Sequence, residues 1–274
     1  MTPENKRTDM WWVIGTDVDV GKTTIASALV DILSEAGTVI GFKPRANYQY
    51  HKYIAETFQH GADPSKMICG DGFSLIKYSN LCSDDEIEVV VPFQMVSSAG
   101  FRQNYLTRFG SEAIGTRAFY AGTENKSLLR SPKIYGTGPQ PFAFLPPGTL
   151  PVRPFNWLTA AAVSDACITK SYQYLMQKEP SSFVCEGAGA FLPIWAQQPV
   201  VNHIVLVDSF RITLFANCDL ELRHEADELP MARHIAPQLE ALSAQSKSAI
   251  LPFAPPQHRH DAAKQTLGRL LEMA

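Results

Sequence analysis

Ten consecutive residues carry the strongest chemical signal in the chain: Gly15-Thr16-Asp17-Val18-Asp19-Val20-Gly21-Lys22-Thr23-Thr24. They follow a short apolar run and precede a helical pattern, the setting a phosphate-binding loop needs. Gly21 permits a tight turn whose neighbours aim N–H groups inward. With the helix N-terminus, these donors form a cradle for an anion. Lys22 is placed to bridge the outer phosphates of a triphosphate, and Thr23 to offer its hydroxyl to Mg²⁺. The strict pattern GxxxxGK[ST] sets its first glycine where this chain has Thr16; Gly15 lies one residue earlier.

Other residues join this loop if the intervening segments are strands. Lys43 closes the run Val39 to Lys43, and Glu186 closes Phe183 to Glu186 ahead of Gly187-Ala188-Gly189. The C-terminal ends of parallel strands face the crevice where α/β proteins bind ligands. A cation and an acid delivered there would serve small-molecule chemistry. Asp71 reads equally as a turn residue or as a site acid. Tyr48, Tyr50 and Tyr53 follow Lys43 and would line a pocket or pack ordinarily. His203, His224, His234, His258 and His260 match no metal-ligand spacing. No GxSxG accompanies a Ser–His–Asp order, so hydrolase chemistry has no support.

The elements that must position these groups are legible in outline. Trp11 to Thr16 reads as a buried strand. Ile25, Leu29, Ile32, Leu33 and Ala36 mark the inner face of a helix that Gly37 ends. Strand, helix, strand implies a right-handed parallel unit. Val89 to Val91 reads as a third strand and Ala166 to Lys178 as a helix. His203 to Val207 and Ile212 to Ala216 read as strands. Only Asp208 to Arg211 separates them, too few residues for a parallel crossover. They form an antiparallel hairpin or one bent strand. Met231 to Gln245 reads as a helix, Ala249 to Leu251 as a strand, and Asp261 as the cap of a last helix burying Leu267, Leu270 and Leu271. Between about 98 and 160, Gly, Pro and aromatics crowd in, with seven prolines from Pro132 to Pro154. This insertion reads as loops and short elements, serving as a substrate lid or as a structural excursion.

The chain has 274 residues, 45% apolar and 19% charged, with net charge −3. It is expected to form one α/β domain over 1–274, a mostly parallel sheet flanked by helices, carrying that insertion. The charge balance disfavours nucleic acid as a partner. No stretch approaches the ~20 apolar residues that span a bilayer. Cys69, Cys82, Cys167, Cys185 and Cys218 are scattered and odd in number, which suits a reducing cytoplasm and buried packing roles.

The loop Gly15–Thr23 resembles that of the dethiobiotin synthetase family, including the extra spacing and the Gly-Thr-Asp start. Gly41-Phe42-Lys43-Pro44 resembles the family's G-[YF]-K-P strand end, and Cys185-Glu186-Gly187-Ala188-Gly189-Ala190 its VEGAGG segment. Asp71, Ala216-Asn217 and Leu251-Pro252-Phe253 are similar to shorter family segments. The resemblance covers roughly 12–43, 70–92 and 183–253. It implies a P-loop NTPase-like fold, a cytoplasmic homodimer, and an ATP- and Mg²⁺-dependent ligase or cyclase acting in biotin biosynthesis on a small molecule. Such an enzyme phosphorylates a carbamate or carboxylate, and an amine then displaces phosphate. The resemblance implies Lys22 and Lys43 as catalytic cations, and Thr23, Asp71 and Glu186 as Mg²⁺ ligands. ATP would be held by Thr16, Asp17, Asp19, Val20, Gly21, Lys22, Thr23 and Thr24, with Asn217 and Pro252 at the adenine. Gly187, Ala188 and Gly189 would approach the substrate.

Two family segments differ here. The stretch after Lys43-Pro44 is Arg45-Ala46-Asn47-Tyr48 rather than small residues ending in Ser-Gly. The family's Ser-Pro-His segment is replaced by Ser97-Ser98-Ala99-Gly100. The ATP side is spared and the substrate side altered, so the expected substrate need not be the biotin precursor. Two other readings remain: a small-molecule P-loop kinase, and a nucleotide-dependent switch or scaffold of the partitioning-ATPase type.

Overall fold

A computed structural model describes residues 7–17, 19–60, 67–98, 101–123, 157–189, 192, 193, 195, 197–209, 211–220, 239, 246–252 and 254–273. The first strand, β1 (Asp9–Gly15), alternates its side chains between two apolar layers. Trp11 and Val13 face α1 (Lys22–Ala36), whose Ile25 and Leu29 are fully buried. Met10, Trp12 and Ile14 face the opposite layer, with Phe183 and Trp195. A strand buried on both faces needs neighbours on both edges. It finds β7 (Ser182–Glu186) on one and β8 (His203–Asp208) on the other, both parallel to it.

β2 (Val39–Phe42) extends the sheet beyond β7, again in parallel. Beyond β8 come β9 (Arg211–Phe215) and β10 (Lys247–Ile250), each antiparallel to its neighbour. The order is therefore β2-β7-β1-β8-β9-β10, α/β and mostly parallel. The 203–216 segment is a hairpin, as its short connection allowed. α1, α3 (Gly70–Tyr78) and α6 (Arg259–Met273) contribute Leu29, Leu75 and Leu267 to one layer; α5 (Trp157–Met176) contributes Ile168 and Leu175 to the other.

A second sheet corrects the expectation of loops after residue 98. β3 (Arg45–Gln49), β4 (Phe93–Ser98), β5 (Phe101–Phe109) and β6 (Ala118–Thr123) form it in that order, β3 parallel to β4 and the rest antiparallel. Arg108 of β5 is fully buried. It donates to the carbonyls of Met67 (3.3 Å), Gly110 (2.5 Å) and Val91 (2.6 Å), which spares its charge the cost of an unpaired interior.

Other expectations need correction. Val89 to Val91 is not a strand: residues Ile87–Val90 form a helical turn, α4. A capping box, with Ser83 and Glu86 bonding each other's backbone, starts a 3₁₀ turn at Asp84–Glu86 that leads into it. β-branched residues there answered to the cap rather than to strand propensity. α5 begins at Trp157 rather than Ala166. The last helix begins at Arg259, so Asp261 lies in its first turn rather than at its cap. Leu271 is only partly buried and Ala36 is exposed. The expected helix at 231–245 and the prolines at 132–154 fall outside the described residues, apart from the buried Leu239. Among the described residues no helix is long and apolar enough to cross a membrane.

Helix α6 is fastened to α1 at Asp31. Its carboxylate meets Lys264 Nζ at 2.7 Å and His260 Nε2 at 3.1 Å, and the His260 ring stacks on Tyr78 at 4.3 Å. Burial opposes the Asp31 charge, but the Lys264 and His260 hydrogen bonds prevail and lower its pKa. Asp31→Asn should cost about 1 kcal/mol in urea unfolding at neutral pH, allowing for solvent screening. The wild-type advantage should be complete above the ordinary aspartate pKa. It should vanish as the pH falls through the lowered folded value. An equal difference at every pH would rule out the charge as its source.

Candidate functional site

The loop after β1 turns through two left-handed positions, Asp19 (φ 56°) and Gly21 (φ 90°). A side chain at Gly21 would meet no atom, so its glycine serves the backbone angle. Gly15 serves packing. A Cβ there would lie 2.8 Å from Lys22 Cδ and 2.8 Å from Val20 Cγ2. Thr16 is held to β8: its N–H reaches the Val207 carbonyl and its hydroxyl the Asp208 carboxylate, each at 3.1 Å. Helix α1 opens with no side-chain cap. Its first N–H groups thus remain for an anion. Lys22 is buried, and its Nζ donates to the Asp17 carbonyl at 2.8 Å.

Four elements converge on Thr23. Its hydroxyl lies 2.8 Å from Asp71 Oδ1 and 2.8 Å from Glu186 Oε1. Asp71 stands in the first turn of α3 and Glu186 ends β7. Lys43, one residue past β2, puts its Nζ 2.5 Å from Asp71 Oδ2 and 2.6 Å from Glu186 Oε1. Lys43 is 5% exposed and Glu186 1%, so these charges are compensated by each other rather than by water. Gly187 donates to the Val13 carbonyl at 2.9 Å, which runs the Gly187-Ala188-Gly189 turn alongside β1. Gly189 takes φ 58°.

The charges shape one another. Burial disfavours the Lys43 ammonium, yet Asp71 and Glu186 outweigh it and raise its pKa. Burial works against the Asp71 carboxylate too, but Lys43 and hydrogen bonds from Tyr48 and Thr23 lower its pKa. Glu186 shifts the other way: burial, and repulsion from Asp71, raise it. Burial lowers Lys22, helped by the nearby charge of Lys43. Cys69 and Cys185 flank the two acids, and burial pushes Cys69 up to about 12 and Cys185 well above its ordinary value. Both thiols stay protonated, which agrees with packing roles.

The oxygens fit a hard cation. Glu186 Oε2 is buried without a hydrogen-bond partner, beside a hydroxyl and a second carboxylate. Among the described residues no three His, Cys, Asp or Glu form a metal cage of their own. A divalent ion bound by Thr23, Asp71 and Glu186 would therefore draw its remaining ligands from phosphate or water.

Two residues assigned to the adenine lie apart from this cluster. The β8–β9 hairpin reverses the chain, so Asn217 sits at the start of β8, where its N–H reaches His203 Nδ1 at 3.2 Å. The Gly15–Thr24 loop is at the other end of β8, on the order of 17 Å away at strand rise. Asn217 is thus not brought to the site; a parallel crossover would have put it there. His203 itself stacks on Trp11 at 3.9 Å. Pro252 follows β10, which runs with β1, so it reaches the correct pole. Three strand spacings, about 14 Å, separate it from β1.

Three side chains from β3 and α2 (Tyr50–Gln59) reach the site: Tyr48, read from the sequence only as a pocket-lining or packing residue, and Lys52 and Glu56, which that reading did not single out. Tyr48 hydrogen-bonds Asp71, Lys52 Nζ lies 3.4 Å from Asp19 Oδ1, and Glu56 Oε2 accepts from Gly70 N–H at 2.9 Å. Their four-residue spacing was the available signal. Compared with protein-family models, curated proteins and solved structures, the chain finds no match in any of the three.

Proposed function

We propose that the protein is a P-loop, ATP- and Mg²⁺-dependent ligase or cyclase. It would activate a carbamate or carboxylate as an acyl phosphate for attack by an amine, in the manner of the dethiobiotin synthetases its motifs resemble. The carrying observation is the meeting of Lys43 and Glu186, from two strand ends, with Thr23 at the mouth of the phosphate loop. A nucleotide switch needs the loop but has no use for a second buried lysine beside Thr23.

Phosphoryl transfer demands charge neutralisation and alignment more than covalent help. The loop N–H groups and Lys22 would hold the triphosphate. Lys43 would stabilise charge on the acceptor oxygen and the transferring group. Mg²⁺, held by Thr23, Asp71 and Glu186, would supply Lewis-acid neutralisation of phosphate oxygens. The Gly187–Gly189 turn would let substrate approach the backbone. The resemblance adds a homodimer to this proposal; the adenine contact is left without Asn217.

Phosphate release separates the readings. With ATP and Mg²⁺, the ligase should release phosphate only when an amine is supplied together with bicarbonate or a carboxylate. A stable phosphorylated product would instead make it a kinase. Slow hydrolysis indifferent to small molecules would make it a switch.

A further inference from the structure

Tyr48 is buried and its hydroxyl is bonded to Asp71. Four residues on, Lys52 stands over the Tyr48 ring, 5.4 Å from its centroid, and reaches Asp19 of the phosphate loop. Four further on, Glu56 accepts the Gly70 N–H at the start of α3. That helix has Cys69 at its N-cap and no side-chain cap of its own, so Glu56 supplies the missing acceptor from outside. The fit is close: a Cβ on Gly70 would fall 2.4 Å from Glu56 Oε2. Lys52 and Glu56, four apart, share one side of α2, Tyr48 lies in β3 just before it, and each touches a different part of the candidate site. A tyrosine merely filling the core would need some partner for its hydroxyl. Here the partner is a carboxylate that also holds Thr23 and Lys43.

We propose that Tyr48 is a positioning residue, which fixes the Asp71 carboxylate in its orientation toward Thr23, while Glu56 fixes the helix start that carries it. The role rests on the proposed function, because it acts on the acid assigned to the divalent cation. Asp71 keeps its rotamer through three partners, one on each of three elements. Removing the Tyr48 hydroxyl frees one side of the carboxylate and leaves the phosphate loop untouched. The loss should thus fall on binding that passes through the metal, not on binding of the phosphates alone.

The experiment compares ATP binding with and without Mn²⁺ in the wild type and in Tyr48→Phe, with bound Mn²⁺ followed by its electron paramagnetic resonance signal. Tyr48→Phe should lose roughly tenfold of the Mn²⁺-dependent affinity, the scale of one charge-assisted hydrogen bond. Metal-free ATP binding should stay within about twofold. A merely structural role would weaken both equally, and that result, or no change in either, overturns the proposal. If Tyr48→Phe does not fold, Glu56→Ala, which removes the acceptor for the Gly70 N–H, carries the test. It should show the same selective loss at severalfold size, and its absence counts against the proposal. A wild type whose ATP binding ignores Mn²⁺ would defeat the proposed function itself, and this role with it.

Discussion

Lys43→Met should destabilise the folded chain by about 3–5 kcal/mol, as expected when the cation of a buried ionic cluster is removed, and Glu186→Gln by clearly less. Lys43 and Glu186 are almost wholly buried and sit 2.6 Å apart; losing Lys43 strands Glu186 and Asp71 without their cation, whereas Glu186→Gln leaves Lys43 paired with Asp71 at 2.5 Å. The double variant Lys43→Met/Glu186→Gln removes one charge of each sign. Asp71 still loses its cation, but Glu186→Gln relieves the repulsion between the two acids, so the double variant should cost less than the sum, with a coupling of about 2–3 kcal/mol in a double-mutant cycle. Urea unfolding of the four proteins reads this directly; additive losses would mean the pair is not coupled. The pH adds a signed check. Without Lys43, Asp71 and Glu186 face each other and must share a proton, raising the folded pKa of the pair above the unfolded value. Such a group stabilises the folded state at low pH and loses that contribution as the pH rises through the folded value. The deficit of Lys43→Met should therefore be smallest in acid and grow toward neutral pH.

Lys22→Ala should lower ATP turnover by on the order of a thousandfold or more, several kcal/mol of transition-state stabilisation. Among the described residues Lys22 donates to the Asp17 carbonyl, and it lies at the helix start rather than in the ion pairs of the carboxylate cluster. On the proposed function its loss removes the cation that would meet the outer phosphates, without opening the ion pairs that hold Lys43. Stability should therefore change far less than in Lys43→Met. The measurement is phosphate release at saturating ATP, set beside ATP affinity and the unfolding midpoint. Turnover at the wild-type rate with ATP bound would end the assignment of Lys22.

What was legible in the sequence is what local physics decides. The apolar run before Gly15, the glycines of the loop and the 3.6-residue period of Ile25 and Leu29 gave the strand, turn and helix around Lys22. Lys43 and Glu186 were found because strand ends in α/β proteins share a pole. Asn217 was misplaced because direction is a long-range property. Only the pairing of β8 with β9 reverses that strand, and the short Asp208–Arg211 link was the one local clue. The second sheet went unread because β3 pairs with β4 across more than forty residues, and because Arg45-Ala46-Asn47-Tyr48 has no strong strand composition. The helical turn at Ile87–Val90 was hidden by its β-branched residues, although Ser83 and Glu86 announced it. Tyr48, Lys52 and Glu56 were missed as a group because their targets lie on three other segments.

The chain leaves one sheet at Phe42 and enters the other at Arg45, so Lys43 and Pro44 alone span the seam. The Lys43 N–H is pinned to the Val90 carbonyl at 2.9 Å. Pro44 fixes its own φ and restricts the residue before it. The ammonium thus rides on the joint between the two sheets. Neither sheet can tilt against the other without carrying that charge with it, so the spacing of the ionic cluster is as much a measure of the angle between the sheets as of its own side chains.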